Sequence, residues 1–218
     1  MNINWGYGFV MQQLGVGTAT FYEPETKSFC ALGHPITDID TGEIVNIANG
    51  ELISTNIVSI IKGKKGSPGQ IKGLIDSTQK LGNIQKNTAF GLYGQITNYG
   101  NLNLNSDNEM EVALREEIKE GDAEIWCELE DGKREKYSIK IEKVYLSNSH
   151  DNKSMKIKIT DERLIEKTGG IIQGMSGSPI IQNGKFIGAV THVLVQNPTE
   201  GYAVFGDMLI KELREVEK

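Results

Sequence analysis

The 218-residue chain is poor in the residues that build metal and disulfide frameworks, with 2 cysteines and 3 histidines. Cys30 and Cys127 lie in separate apolar segments and form no C-x-x-C pair. They read as two buried free thiols, with a single disulfide as the alternative. His34, His150 and His192 share no ligand spacing with them, so neither a metal site nor a cofactor is expected. Proline is scarce as well, 5 against 25 glycines, a balance that favours tight turns and therefore many strands. No apolar run reaches the ~20 residues of a membrane helix. The opening Met1-Asn2-Ile3-Asn4-Trp5 lacks the basic segment and apolar stretch of a signal peptide. Such a chain is either cytosolic or a domain whose anchor lies elsewhere. Positive charge is in deficit too: the net charge of -6 argues against a nucleic-acid partner. The basic clusters at 62–65 and 133–136 read as solvated hairpin turns.

What is present is a succession of short strands. Val16 to Tyr22 alternates, turns at 23–27 and returns as Phe29 to Leu32. Asn49-Gly50 marks a tight turn. Thr55 to Ile61 pairs with Gly69 to Ile75 across Gly66-Ser67-Pro68, and Ala89 to Ile96 is a further strand. The polar segment 98–108 reads as a connection between two lobes. After it come strands over 111–118, 123–129, 136–145 and 155–159. Asp161 to Lys167 suits a single helical turn with Asp161 at its N-cap. A hairpin around Asn183-Gly184 follows, and the apolar spacing of Met208, Leu209, Leu213 and Val216 predicts a closing helix over 207–217. The expected architecture is all-β: a chymotrypsin-like double barrel with a first lobe over about 15–97, a second over about 109–205, and a C-terminal helix.

Chemistry concentrates in Gly174-Met175-Ser176-Gly177-Ser178-Pro179. A serine between glycines ahead of an apolar strand can sit on a sharp turn, with its Oγ exposed and nearby N–H groups aimed at one point. Far upstream, Ala31-Leu32-Gly33-His34-Pro35 places a histidine at a strand end. The order histidine then serine is the chymotrypsin order. Ser176 is the candidate nucleophile. Ser178, further from the glycine that shapes the turn, reads as a small packed residue. His34 is the candidate general base, since imidazole titrates near neutral pH. His192, on the strand after the serine hairpin, is the rival and more naturally lines the cleft, while His150 sits in a polar loop. The N–H groups of Gly174 and Ser176 are the expected oxyanion hole. Gly170-Ile171 and Thr191, His192 and Val193 are the expected substrate-binding walls. Their neutral character suits an uncharged side chain before the scissile bond.

The segments Gly15-Val16-Gly17-Thr18, Thr20-Phe21-Tyr22, Ala31-Leu32-Gly33-His34, Asn87-Thr88 with Phe90-Gly91, and Ile159-Thr160-Asp161 resemble the SpoIVB sporulation peptidases. So do the run from Thr168 to Lys185 and Ile187-Gly188-Ala189-Val190-Thr191-His192-Val193. The resemblance extends from about Gly15 to Tyr202. It implies a serine endopeptidase of endospore-forming bacteria with a membrane anchor and a PDZ domain ahead of the peptidase domain, to which this chain corresponds. It implies action between the two forespore membranes. The substrates would be the protein itself and a membrane-bound regulator of an intramembrane protease that matures a sigma factor. It also points to Asp161, fifteen residues before Ser176, as the third triad member. In the chymotrypsin pattern that aspartate comes from the first lobe, and Asp38 and Asp40, close to His34, are the alternatives.

Two other classes compete. A β-rich peptide-binding module would keep the cleft without turnover, yet both nucleophile and base are in place here. An α/β-hydrolase needs G-x-S-x-G between a strand and a long helix. Pro179 and the strand after it break that pattern.

Overall fold

A computed structural model describes residues 2–5, 8–11, 15–47, 50–98, 109–130, 132–147 and 152–217. The expected inter-lobe connection lies almost wholly outside these residues, as does His150.

The N-terminal lobe is a curled antiparallel sheet. Its strands are β1 (Asn2–Trp5), β2 (Gly8–Met11), β3 (Gly15–Tyr22), β4 (Ser28–Ala31), β5 (Gly50–Ile61), β6 (Gln70–Thr88) and β7 (Gly91–Ile96), with β8 (Met110–Glu111) at its edge. The order is β2-β5-β6-β7-β4-β3-β1-β8, and a β2–β3 pairing draws the sheet round on itself. The alternation along β3 divides the work of its side chains. Tyr22 joins Phe29, Leu52, Leu81 and Leu92 in the lobe's own core. Phe21 points the other way and meets Phe186 edge to face at 6.0 Å between ring centres.

The second lobe is a closed barrel of β9 (Gly121–Glu130), β10 (Lys133–Val144), β11 (Met155–Ile159), β12 (Pro179–Gln182), β13 (Lys185–Leu194) and β14 (Asn197–Phe205), ordered β10-β11-β14-β13-β12-β9. Full closure leaves no open edge within the ring. Between β11 and β12 lies α1 (Glu162–Thr168), capped by Asp161. The chain ends in α2 (Gly206–Val216). This helix ties the lobes together. Tyr93 of the first lobe donates its hydroxyl to Leu209 O at 3.2 Å. Arg214 pairs with the buried Glu23, and Ser28 donates to Glu217 at 2.7 Å.

Several expectations need correction. Strands β1 and β2 precede the expected first lobe. β6 runs on through a polar stretch to Thr88 because β5 and β7 pair with it on either side. The stretch read as a strand over 111–118 gives β8 and then a 3-10 turn, Arg115–Glu117. The reading of Cys30 and Cys127 as buried free thiols needs no correction: both are free and buried.

Candidate active site

Residues 169–178 carry the chain from α1 to β12 and present Ser176. Gly169 ends α1 in the left-handed conformation, φ 76°. The loop is then stitched to the first lobe through Thr18. Its N–H donates to Ser176 O at 2.9 Å and its hydroxyl to Gly174 O at 2.9 Å. At Gly177, φ 92°, a Cβ would stand 2.2 Å from Thr18 O and 2.7 Å from Leu32 N. Only glycine allows the two lobes to meet so closely here. The amides of Met175, Gly177 and Ser178 donate to Ile172 O, Val190 O and Met175 O respectively. Those of Gly174 and Ser176 donate to no carbonyl among the described residues. Two unpaired N–H groups beside a half-buried hydroxyl are what a developing oxyanion requires.

His34 reaches the same place from the first lobe. After β4 the backbone turns through two positive φ values, Leu32 at 72° and Gly33 at 70°. A left-handed non-glycine residue is strained, and such strain gathers at functional turns. Gly33 backs onto the second barrel: a Cβ there would meet Thr191 Cγ2 at 3.2 Å and Val204 Cγ1 at 3.3 Å. The segment after His34 is pinned by Asn87, whose amide donates to Ile36 O at 2.7 Å and Val45 O at 2.9 Å and accepts from Ile36 N at 3.0 Å. His34 Nδ1 lies 2.9 Å from Pro35 O. A carbonyl only accepts, so Nδ1 carries the proton and Nε2 keeps its lone pair. Burial lowers the imidazole's pKa from its ordinary value, against the opposing pull of the Pro35 carbonyl. Neutral His34 is the form that can take a proton.

The Thr191–Val193 stretch of β13 forms the third side. Thr191 O accepts the Ser176 hydroxyl at 3.2 Å. The Thr191 hydroxyl is buried and donates to Asn152 O at 2.7 Å, with Tyr202 O at 3.2 Å. His192 turns its exposed ring to within 5.4 Å of His34, centre to centre. Its pKa falls to about 4 through desolvation, the His34 ring and Lys153. Gly170 and Ile171 are buried, with Ile171 N donating to Pro198 O at 2.7 Å. Ser178 is buried too and its hydroxyl has no partner.

Asp161 is not brought to His34. Its carboxylate pairs with Arg163 at 2.8 Å, accepts Arg163 N–H at 3.0 Å as the cap of α1, and accepts Ser138 N–H at 3.2 Å. Arg163 foremost holds its pKa below the usual carboxylate range. The barrel register explains the separation. Tyr202 pairs with both His192 and Lys156. Asp161 lies five residues beyond Lys156, on the order of 15 Å at a strand's rise of about 3.3 Å per residue. Asp38 is also engaged elsewhere, with Asp40 N, Thr41 N and the Thr41 hydroxyl in its own exposed turn.

The family model of the SpoIVB peptidase, S55, matches residues 6–210. The chain belongs to the SpoIVB peptidase family. It is a serine endopeptidase with a chymotrypsin-like fold. No curated protein matches it. Among solved structures it is similar to Deg5, with a TM-score of 0.52 at 12% identity over 94% of this chain and 84% of that one. The active form of the Rv3671c protease from M. tuberculosis gives 0.50 at 14% identity, over 94% of this chain and 75% of that one. Its inactive form gives 0.50 at 13% identity, over 97% and 89%. At such identities the likeness concerns the fold. Among the described residues no helix is long and apolar enough to cross a membrane.

The residues that sequence reading passed over are the supports. Thr18, Asn87, Asn152 and the Pro35 carbonyl carry no chemical signature of their own. Thr18 and Asn87 fall inside segments shared with the family, which is the one signal that could have found them.

Proposed function

We propose that Ser176 and His34 are the nucleophile and general base of an acyl-transfer site. Ser176 Oγ turns from Thr191 O to His34 Nε2 and attacks the scissile carbonyl. His34 takes the serine proton and returns it to the leaving amine. The Gly174 and Ser176 amides receive the oxyanion, and water then attacks the acyl-enzyme. Catalytic hydrogen bonds commonly tighten only with substrate bound. The extended backbone of Thr191, His192 and Val193 receives the substrate chain. What carries this reading is the combination of a half-buried serine, two unpaired amides and a histidine held in the base tautomer.

Asp161 is assigned to positioning. It caps α1, and α1 leads through Gly169 into the loop that shapes Ser176. Asp161→Ala removes the cap, costing about 1 kcal/mol, and lowers kcat through the loop. Asp161→Asn keeps a capping side chain and is expected to retain activity within about tenfold of wild type at equal folding. A triad aspartate behaves differently, since its Asn variant loses about 10⁴-fold. Such a loss in folded Asp161→Asn, read as kcat beside a thermal melt, would return Asp161 to the triad.

In the cell, the reading that family membership supports is sporulation signalling. The enzyme cuts itself and a membrane-bound regulator of an intramembrane protease, triggering sigma-factor processing from the space between the forespore membranes. The test is incubation of purified full-length protein, with fragments identified by mass spectrometry. Fragments that form in wild type and not in Ser176→Ala support self-cleavage. Intact protein in both overturns it.

A further inference from the structure

We propose that His34 and His192 together form a binding site for a divalent transition-metal cation, Zn²⁺ foremost, whose occupancy switches the peptidase off. The inhibitory half of the proposal rests on the acyl-transfer reading above; the binding site does not.

The ring separation is the first observation. A zinc ion lies about 2.0–2.1 Å from a ligating imidazole nitrogen, and so about 3.2 Å from the ring centre. Two rings sharing one tetrahedral ion therefore have centres about 5.2 Å apart. His34 and His192 stand at 5.4 Å with their planes tilted by 39°.

The tautomers are the second. His34 keeps its proton on Nδ1, facing the Pro35 carbonyl at 2.9 Å. His192 Nδ1 lies 2.9 Å from the Thr191 hydroxyl. That hydroxyl's one proton goes to Asn152 O at 2.7 Å, so the oxygen accepts and Nδ1 of His192 donates. Both Nε2 atoms are left with bare lone pairs. Metal-bound histidines characteristically donate their other ring N–H to an oxygen, and both rings already do so.

Chemistry selects the ion. Imidazole nitrogen suits Zn²⁺, Ni²⁺, Co²⁺ and Cu²⁺, whereas Mg²⁺ and Ca²⁺ prefer oxygen. With two protein ligands, water completes the shell. Lys153, whose charge already bears on His192, opposes a cation. Both features make the site weak and reversible, which suits regulation rather than structural support. Its effect on catalysis is direct, because His34 Nε2 is the atom that must accept the serine proton.

Binding is tested without turnover, on Ser176→Ala protein, by titrating Co²⁺ and reading its visible absorption, then displacing it with Zn²⁺. One Co²⁺ per chain is expected, lost in His192→Gln and in His34→Gln and indifferent to Mg²⁺. His192 is exposed, so its Gln variant is expected to fold even if that of His34 does not, as circular dichroism would verify. A folded chain with no Co²⁺ signal, or a signal retained in His192→Gln, overturns the site. Inhibition is tested on wild type by fluorophosphonate labelling. Zn²⁺ should block labelling of Ser176 and a chelator restore it. Labelling that persists under saturating Zn²⁺ overturns the switch. Absence of labelling in metal-free protein that still binds Co²⁺ supports the site and overturns the peptidase reading it was to regulate.

Discussion

Ser176→Ala is expected to abolish peptide hydrolysis, with a fall in kcat on the order of 10⁶, while the fold survives. The two effects separate because they rest on different atoms. Turnover needs the Oγ lone pair that attacks carbon. The fold loses one hydrogen bond, to Thr191 O at 3.2 Å, worth about 1 kcal/mol. The backbone contacts of Ser176, including Thr18 N–H on its carbonyl, remain. Fluorophosphonate labelling with mass spectrometric location of the adduct reads the same atom independently of any substrate. The label should fall on Ser176 and vanish in the alanine variant. Ser178→Ala is the internal control. Its hydroxyl is buried without a partner, so its removal should leave labelling intact and cost no stability, because an unsatisfied buried hydroxyl is itself a penalty. A label found on Ser178, or persisting in Ser176→Ala, would displace Ser176 from the chemistry.

The burial of Ser178 was legible from local pattern alone, and so was the turn after β4 that carries His34. Both depend on short-range turn chemistry. The third position was not legible. Asp161 matches a family motif and lies near Ser176 in the chain, yet register decides where a side chain goes in a barrel. Asp161 lies two residues past the end of β11, where Arg163 and the Ser138 amide take up its carboxylate. The polar stretch of β6 was missed for a related reason. Residues such as Ser77, Gln79 and Asn83 carry no apolar alternation, and the strand is held by the pairing on either side of 76–79, with β5 along 70–75 and 80–84 and with β7 from Gly82 to Thr88. Periodicity reports burial, and a strand exposed on its faces has little of it to report. The exposed Val58, Leu74 and Ile75 on this same hairpin show the converse: apolar character there does not mark a core.

Gly174→Val should cost about 10²- to 10³-fold in kcat and leave a folded protein. Gly174 sits at φ 101°, and a Cβ there would stand 3.0 Å from the Ile71 Cβ. Valine cannot hold that backbone without strain of about 1–3 kcal/mol. The peptide relaxes by rotating, and rotation takes the Gly174 N–H away from the point it shares with the Ser176 amide. The stability cost is a fraction of the 5–15 kcal/mol typical of a domain, whereas the catalytic cost falls on a donor that nothing else replaces. Gly184 provides the comparison. It also has a positive φ, 75°, but nothing lies within 4 Å of a Cβ placed there. Gly174→Ala and Gly184→Ala therefore share the dihedral penalty and differ in place. The first should lower kcat with little change in KM, because an oxyanion donor acts in the transition state. The second should lower only the melting temperature. Equal kcat in the two variants would remove the Gly174 amide from the oxyanion hole and leave the glycine a purely conformational task.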